Sequence, residues 1–428
     1  MTDPDTQVAT LANGVRVLTI RLPALQTACA SVFVRTGSAH EGRADNGISH
    51  VIEHMVFKGT ATRDARRINL DAERLGAEVN AHTDKDHTAF HMRGLARDAC
   101  AFVAMLGDIV GAPTFPDDEL ERERQVLLHE VTEDEDDPLA TAFKLFDKAC
   151  FGDHPAAQSV IGPRRNVERF ARAALRERVA REYTGHNIVV GVAGGIEPDA
   201  VVRAAEAAFG GLPAGTPNLV APARYVGGIA SKRDGGGSQA HAVIGFPLPP
   251  LAADDAAGKV AAAVFGDGMS SPLLDQVRER RALAYYTACS ADVLEMCGQF
   301  VVEASTGPKQ LAELLEAVLG LLAAQADGVS ALDLERARHQ LLVRQLRASE
   351  RAQHRLEDAA LDLFTFGRVR PQRELIDRFD AVDAGRVRAV FEGMLGSGVS
   401  VALAGELPRA ASERVREIAA RVMPSSPR

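Results

Sequence analysis

The sequence of 428 residues contains no tryptophan, and aromatic residues make up only 5% of it. Its five cysteines are widely scattered and form no CxxC pair, so we expect reduced thiols in a cytoplasmic protein and no cysteine ligand to a metal. The sequence shows no signal peptide and no apolar run of the roughly 18 residues that a membrane span needs. A net charge of −9 argues against a nucleic-acid partner.

The remaining composition is that of a folded protein with several domains. Hydrophobic residues make up 46% of the chain and charged residues 25%, which is typical of globular proteins and excludes a disordered chain. Since aromatic residues are scarce, the core must consist mainly of alanine, valine and leucine.

The stretch HVIEH at residues 50–54 is the most informative part of the sequence. In a helix, His50 and His54 lie one turn apart on one face, and Glu53 lies at the flank of that face. Two neutral imidazoles in this arrangement suit Zn²⁺, and a carboxylate beside them can take a proton from a water molecule. The order HxxEH is the inverted form of the HExxH signature of zinc peptidases. The stretch therefore predicts a zinc site with Glu53 as the general base.

A zinc site that performs catalysis usually has three protein ligands and a water molecule in the fourth position. The predicted helix over residues 117–135 is rich in acidic candidates. Glu123 and Glu130 lie two turns apart on one face, so one can bind the ion while the other orients a ligand. Spacing alone leaves Glu123, Glu130 and Glu133 open as the third ligand.

The chain also contains an internal repeat. Residues 30–34 resemble residues 241–245, and residues 189–194 resemble residues 400–405, at the same displacement of 211 residues. A repeat of about half the chain predicts an α+β fold with two similar domains.

The repeat indicates one catalytic and one non-catalytic domain. At the displacement of 211 residues, the three polar residues of the HVIEH stretch correspond to apolar ones, namely Ala261, Val264 and Phe265. We place the catalytic zinc domain at residues 1–211, a proline-containing linker at 212–225, and the non-catalytic homologous domain at 226–428.

Four stretches together carry a resemblance to a known family. They are HVIEHMVFKGT at residues 50–60, NAHT at 80–83, ERERQVLLHE at 121–130 and YTGHN at 183–187. With these stretches the sequence resembles the pitrilysin/insulinase metallopeptidases, and most of all the branch of the mitochondrial processing peptidase and its bacterial relatives. The resemblance extends over nearly the whole chain. It implies two homologous α/β-sandwich domains in a clamshell arrangement, each with a mixed, mostly antiparallel sheet and helices.

The resemblance also implies a complete metal site. The distal zinc ligand of the family falls on Glu130, and its supporting acid, seven residues earlier, falls on Glu123. Together with His50 and His54, Glu130 would hold one Zn²⁺ per chain, and Glu53 matches the general base of the family.

Further site residues follow from the resemblance alone. The substrate-binding edge strand of the family falls on Asn80 and Ala81. Its arginine–tyrosine pair falls on Arg278 and Tyr285, at the same spacing of seven residues. In the family, the tyrosine stabilises the oxyanion at the scissile carbonyl and the arginine holds the substrate backbone.

These features predict a zinc-dependent endopeptidase or oligopeptidase that acts on peptides in the cytoplasm, without a membrane partner. Because the metal stretch and the arginine–tyrosine pair occur in one chain, we expect a homodimer. The alternatives are a catalytic subunit that needs a related inactive chain in a heterodimeric peptide-maturation protease, and a non-catalytic subunit of a larger assembly.

Overall fold

We describe the protein from a computed structural model that covers residues 5–233 and 237–421. Residues 1–4 lie outside the described residues. They belong to the stretch on which the prediction of no signal peptide rests. The chain forms two compact units. The first comprises the chain up to Val131, Gln158–Val220 and Arg347–Gln372, and the second comprises Thr132–Ala157, Ala221–Leu346 and the chain from Arg373 onward.

The strands of the described residues are short and fall into one sheet per unit. They are β1 Thr6–Thr10, β2 Arg16–Arg21, β3 Thr27–Val34, β4 Glu78–Thr83, β5 Thr88–Leu95, β6 Ile188–Gly194, β7 Gly228–Arg233, β8 Ala240–Leu248, β9 Tyr286–Val293, β10 Gly298–Thr306 and β11 Ser400–Gly405.

The helices pack on these sheets. They are α1 Ile48–Met55, α2 Ala65–Arg74, α3 Ala99–Gly111, α4 Asp117–Asp136, α5 Pro138–Phe151, α6 Arg164–Val167, α7 Arg172–Glu182, α8 Pro198–Phe209, α9 Ala257–Gly266, α10 Leu311–Asp327, α11 Ala331–Ser349, α12 Ala352–Phe366, α13 Gln372–Asp380, α14 Ala384–Ser397 and α15 Arg409–Ala420. A π-helical segment spans Leu274–Arg280.

The two sheets confirm the predicted α+β class and its mixed, mostly antiparallel strands. The first sheet has the order β1-β2-β6-β3-β5-β4, and the second has the order β7-β11-β8-β10-β9. In each sheet one neighbouring pair is parallel, β2 with β6 and β7 with β11, while the other neighbours are antiparallel.

The order of the strands supports the internal repeat, because β2, β6, β3, β5 and β4 of the first sheet correspond in order to β7, β11, β8, β10 and β9 of the second. The register departs from the displacement of 211 residues by one residue on β8. Val32 of β3 lies opposite Val190 of β6, whereas Val401, 211 residues after Val190, lies opposite Ile244, 212 residues after Val32. The two units are therefore two copies of one arrangement of strands.

Each unit contains a helix from the other half of the sequence. Helix α5 packs against β7, β8 and β11 of the second sheet, and α12 packs against β2, β3 and β6 of the first. Leu356 and Ala360 of α12 join Phe33 of β3 in one buried cluster. The exchange is symmetrical, because the two helices cover corresponding strands.

The linear boundaries at residues 211 and 226 stay a prediction, and the compact units themselves are discontinuous in sequence.

Helix α10 lies mostly in the hydrophobic core of the second unit. Among the described residues no single helix is long and apolar enough to cross a membrane, and α10 and α11 meet those criteria only as a pair, with a bend of 104° between them.

Candidate metal centre

Helix α1 carries the HVIEH stretch and presents its two faces as the sequence predicts. The buried apolar positions follow helical spacing and are Ile48, Val51, Ile52 and Met55. His50, Glu53 and His54 lie on the opposite face and are partly exposed. The apolar face thus anchors the helix in the core and aims the polar residues away from it.

The beginning of α1 is held by a buried carboxylate that the sequence did not reveal. Glu41 is only 1% exposed and accepts hydrogen bonds from the backbone N–H groups of Gly47 and Ser49, both at 2.8 Å. A negative charge at a helix N-terminus compensates N–H groups that lack a partner within the helix. Gly47 itself has φ 99°, in the left-handed region, and a side chain there would meet the carbonyl of Ile161.

Three predicted ligands come together at the exposed face of α1. Oε2 of Glu130, from α4, lies 3.7 Å from Nε2 of His50 and 3.6 Å from Nε2 of His54. The three ligand atoms all lie within 4.8 Å of one another. Ligands of a tetrahedral zinc ion at roughly 2.0–2.1 Å stand about 3.3–3.4 Å apart, so small movements would bring these atoms onto one ion. The donor set therefore fits Zn²⁺.

The electrostatics at these imidazoles favour a cation. Burial and the neighbouring His54 lower the pKa of His50 to about 4, so this imidazole is neutral at pH 7 and has a lone pair for a metal. Burial alone would lower the pKa of His54, but the hydrogen bond to Glu123 and the charge of Glu130 outweigh it and raise that pKa. The carboxylates thus stabilise positive charge beside His54.

Glu123 orients His54 rather than joining the ligand group. Its Oε1 lies 2.9 Å from Nδ1 of His54, which leaves Nε2 of the same ring facing Glu130. Its Oε2 forms an ion pair of 2.5 Å with Nζ of Lys58. Burial would raise the pKa of Glu123, but the bonds to His54 and Lys58 outweigh it and lower that pKa. A carboxylate that fixes the second nitrogen of a ligating histidine is a common feature of metal sites.

Glu53 stands apart from the ligand group. Its Oε2 accepts a hydrogen bond of 2.7 Å from the hydroxyl of Thr83, at the end of β4. Burial raises the pKa of Glu53, while the bond from Thr83 opposes that shift. A carboxylate with a raised pKa beside a metal site is suited to accept and return a proton.

Strand β4, which carries Asn80 and Ala81, lies at the end of the first sheet and pairs with β5 alone among the described residues. The N–H of Ala81 donates to the side-chain oxygen of Asn80 at 2.9 Å. A strand at the edge of a sheet presents backbone donors and acceptors that an added strand can use.

Arg278 and Tyr285 both belong to the second unit. Arg278 lies on the π-helical segment and forms an ion pair of 3.6 Å with Glu279. Tyr285 is 70% exposed, and its backbone N–H donates to the carbonyl of Ser305. Between them, Ala282 has φ 48°, which a residue other than glycine rarely adopts. Their proposed role at the metal site remains a prediction.

Sequence reasoning assigned no role to Lys58, Thr83 or Glu41. Lys58 and Thr83 lie inside the stretches that carry the family resemblance, so their position was a usable signal. Glu41 lies outside those stretches, and only the fold places it at the N-terminus of α1.

The fold and this site define a class of protein with two repeated α/β units. One unit carries an inverted zinc-peptidase stretch, and a carboxylate from a second helix lies next to its two histidines as the candidate third ligand. The family model "Insulinase (Peptidase family M16)" matches residues 16–164, and "Peptidase M16 inactive domain" matches residues 169–341. The chain belongs to the M16 peptidase family.

Relatives of similar length include both named proteases and a respiratory subunit. The chain is 32% identical to the uncharacterized zinc protease ML0855 of Mycobacterium leprae, covering 92% of the chain and 91% of the relative. It is 29% identical to the uncharacterized zinc protease YmxG of Bacillus subtilis, covering 93% and 98%. It is also 31% identical to subunit 1 of the mitochondrial cytochrome b-c1 complex of Bos taurus, covering 90% and 83%.

Solved structures share the fold over almost their whole length. A protease from Helicobacter pylori matches with a TM-score of 0.86 at 18% identity, covering 94% of this chain and 99% of that one. A peptidase M16 inactive domain from Pseudomonas fluorescens matches with a TM-score of 0.83 at 22% identity, with the same coverage. At these identities the likeness concerns the fold.

Proposed function

We propose that the protein is a zinc-dependent endopeptidase or oligopeptidase, with one catalytic Zn²⁺ per chain bound by His50, His54 and Glu130. The observation that carries the proposal is the convergence of these three ligand atoms, while Glu53 lies beside them and is held by a different partner. A carboxylate that is near the metal ligands but free of them is what a general base requires.

The residues divide the chemistry between them. Zinc bound at this site would supply a Lewis acid that lowers the pKa of a water molecule from 15.7 to about 7. Glu53 takes the proton of the attacking water and returns it to the leaving amine. Thr83 holds one oxygen of Glu53 in place, so the other oxygen remains for proton transfer.

The substrate would bind as an extended strand along β4. Main-chain hydrogen bonds to Asn80 and Ala81 would hold a peptide irrespective of its side chains, as in other cases of strand addition. From the family resemblance we assign a role to each residue of the pair. The hydroxyl of Tyr285 stabilises the oxyanion, and Arg278 holds the substrate backbone. The exposed side chains of both residues are compatible with such a role.

Three matched substitutions test the assignment. Glu53→Gln should retain zinc and lose hydrolysis of a mixed peptide library, because it removes a base and not a ligand. Glu130→Gln should lose zinc and activity together, whereas Glu133→Gln, on the same helix, should change neither. Metal content and cleavage products measured by mass spectrometry distinguish these outcomes. Zinc loss in Glu53→Gln with normal zinc in Glu130→Gln would reverse the assignment.

The similarity to a cytochrome b-c1 subunit favours a second candidate, a non-catalytic subunit of an assembly. Full zinc occupancy without cleavage of any peptide in the library, alone or with a related chain, would support this candidate. We further propose that the enzyme acts as a cytoplasmic homodimer. Light scattering of the purified chain, with and without a related inactive chain, separates the homodimer from a heterodimer through mass and activity.

A further inference from the structure

A second group of metal-binding side chains surrounds the turn between β4 and β5. Nε2 of His82 and Nε2 of His87 lie 3.3 Å apart. Oε1 of Glu357, from α12, lies 3.4 Å from the first nitrogen and 3.8 Å from the second. Asp84, in the turn, offers a carboxylate oxygen within 4.8 Å of a nitrogen of each histidine. We call these four residues the hairpin cluster.

We propose that the hairpin cluster binds a second divalent transition-metal ion, and Zn²⁺ is the ion that we assign to it. The separations of 3.3, 3.4 and 3.8 Å among His82, His87 and Glu357 lie near the roughly 3.3–3.4 Å expected around a tetrahedral ion. Two imidazoles with one or two carboxylates form a donor set that first-row transition metals prefer over Ca²⁺ or Mg²⁺. The proposal is independent of the peptidase function, because it uses none of the three ligands on α1 and α4.

His87 is oriented as a metal ligand would be. Its side chain is only 3% exposed, and its Nδ1 lies 2.7 Å from Oδ1 of Asp86. The carboxylate accepts the proton of Nδ1, and Nε2 is directed at His82 and Glu357. This is the carboxylate–histidine pattern that fixes the ring of many zinc ligands. Burial would lower the pKa of His87, but the hydrogen bonds to Asp86 and Glu357 outweigh it and raise that pKa to about 10, so an ion would displace the proton of Nε2 on binding.

His82 has a comparable support on its other nitrogen. Its Nδ1 lies 3.3 Å from Nε2 of His91, and Nδ1 of His91 lies 2.8 Å from the hydroxyl of Ser31. When His91 donates to Ser31, it can accept the proton of Nδ1 of His82. This tautomer leaves Nε2 of His82 free to bind the ion.

The turn itself is held in place before any ion binds. The backbone N–H groups of Ser38 and Ala39 donate to the carbonyls of Asp84 and Lys85 at 3.2 and 2.8 Å. Gly37 allows this approach, since a Cβ there would lie 2.2 Å from the carbonyl oxygen of Asp84. A rigid turn lowers the entropic cost of assembling the ligands.

Solvent reaches the hairpin cluster, and a bound ion would affect the strand on which we place the substrate. The side chains of His82 and Glu357 are 34% and 25% exposed, so solvent reaches the donors from that side. An ion shared by these residues would tie the end of β4 to α12. The tied end is next to Thr83, which holds Glu53, so occupancy would stiffen the strand on which we place the substrate.

The number of bound ions tests this inference without any assay of activity. We would strip the full chain with chelator and titrate it with Zn²⁺ and Co²⁺, using equilibrium dialysis and the visible absorption of Co²⁺. The His50→Gln/His54→Gln variant removes the first site, and we expect it to retain one ion per chain and to gain thermal stability on binding. Adding either His82→Gln or Glu357→Gln should abolish this remaining ion.

His354→Gln is the matched control, since this exposed histidine lies on the same helix as Glu357 and should leave the ion count unchanged. Circular dichroism of each variant checks the fold. We substitute the partly exposed His82 and not the buried His87, because replacing a buried side chain disturbs the fold more. The proposal is overturned if His50→Gln/His54→Gln binds no ion, which would make the cluster a proton-linked network only. It is also overturned if His82→Gln and Glu357→Gln both keep that ion.

Discussion

The hydroxyl of Thr83 donates a hydrogen bond of 2.7 Å to the carboxylate of Glu53. Thr83 is the last residue of β4, and Glu53 lies on α1. The strand on which we place the substrate and the helix that carries the predicted base are therefore joined at one polar contact. A change at the substrate edge would be transmitted directly to the predicted base.

Thr83→Val should lower kcat/KM about tenfold or more while zinc content stays at the wild-type value. A hydrogen bond to a charged group contributes about 1.5–3 kcal/mol, and valine keeps the shape of threonine without the hydroxyl. Because the bond from Thr83 lowers the pKa of Glu53, its loss should raise that pKa and move the acidic limb of the pH–rate profile to higher pH. Thr83→Ser retains the hydroxyl and should stay near wild type. An unchanged acidic limb in Thr83→Val would argue against Glu53 as the titrating base.

Glu123→Gln should weaken zinc binding about 10–100-fold, the usual effect of losing a carboxylate that orients a ligating histidine. Glu121→Gln is the control on the same helix, because Glu121 pairs at the surface with Arg124. Lys58→Met should act in the same direction as Glu123→Gln but more weakly, since Lys58 contacts the carboxylate and not the histidine. Competition with a fluorescent zinc chelator measures all three affinities. Equal affinities for Glu123→Gln and Glu121→Gln would remove Glu123 from the site.

His40 should make the protein less stable in mild acid. Burial and the nearby Arg178 lower its pKa to about 4 in the folded protein, against about 6.5 in an unfolded chain. The unfolded state therefore binds the proton more tightly, and the free energy of unfolding falls as the pH drops from about 6.5 towards 4. By linkage this one group removes about 2 kcal/mol between pH 7.5 and pH 5.

His40→Gln should show a shallower loss of stability over that pH window, measured by urea unfolding at a series of pH values. The variant loses the hydrogen bond that His40 accepts from the N–H of Gly37, so its stability at neutral pH is expected to be lower throughout. The exposed His354 provides the control, and His354→Gln should follow the wild-type pH dependence. Parallel curves for His40→Gln and wild type would show that His40 does not control acid stability.

The parts of the site that the sequence predicts are those set by local geometry. His50 and His54 lie on one face because helical spacing puts them there, and Ile48, Val51, Ile52 and Met55 bury the other face. Spacing on α4 reduced the third ligand to a few carboxylates, and the family resemblance selected Glu130. The structure places Oε2 of Glu130 3.7 and 3.6 Å from the two imidazoles, and its role as a zinc ligand stays a prediction.

The parts that the sequence does not predict depend on contacts between distant segments. Glu357 reaches His82 and His87 only because α12 packs on the first sheet. An apolar helix face specifies burial but not the sheet that buries it, so the exchange of α5 and α12 has no local signature. In the sequence Lys58 likewise reads as an ordinary surface lysine. It pairs with Glu123 only because the fold brings α4 close to it.

Tyr285→Phe should slow peptide hydrolysis about 10²–10³-fold without changing zinc content or fold. Loss of one hydrogen-bond donor to an oxyanion typically has this effect, equivalent to about 2.7–4 kcal/mol. The phenyl ring retains the packing of the tyrosine, and because Tyr285 is 70% exposed we expect no large structural effect of the substitution. Steady-state kinetics on one defined peptide, with metal analysis of the same sample, measures the change.

Tyr286→Phe is the matched control for this prediction. The hydroxyl of Tyr286 donates to Oε1 of Glu303 at 2.8 Å, which raises the pKa of that phenol and engages its proton within the second sheet. Loss of the Tyr286 hydroxyl should therefore have little effect on the rate of peptide hydrolysis. Wild-type rates for Tyr285→Phe together with a crippled Tyr286→Phe would mean that the neighbouring tyrosine is the catalytic one. Wild-type rates for both would mean that the second unit contributes no oxyanion donor through this pair, and that the first unit performs the chemistry with its own residues.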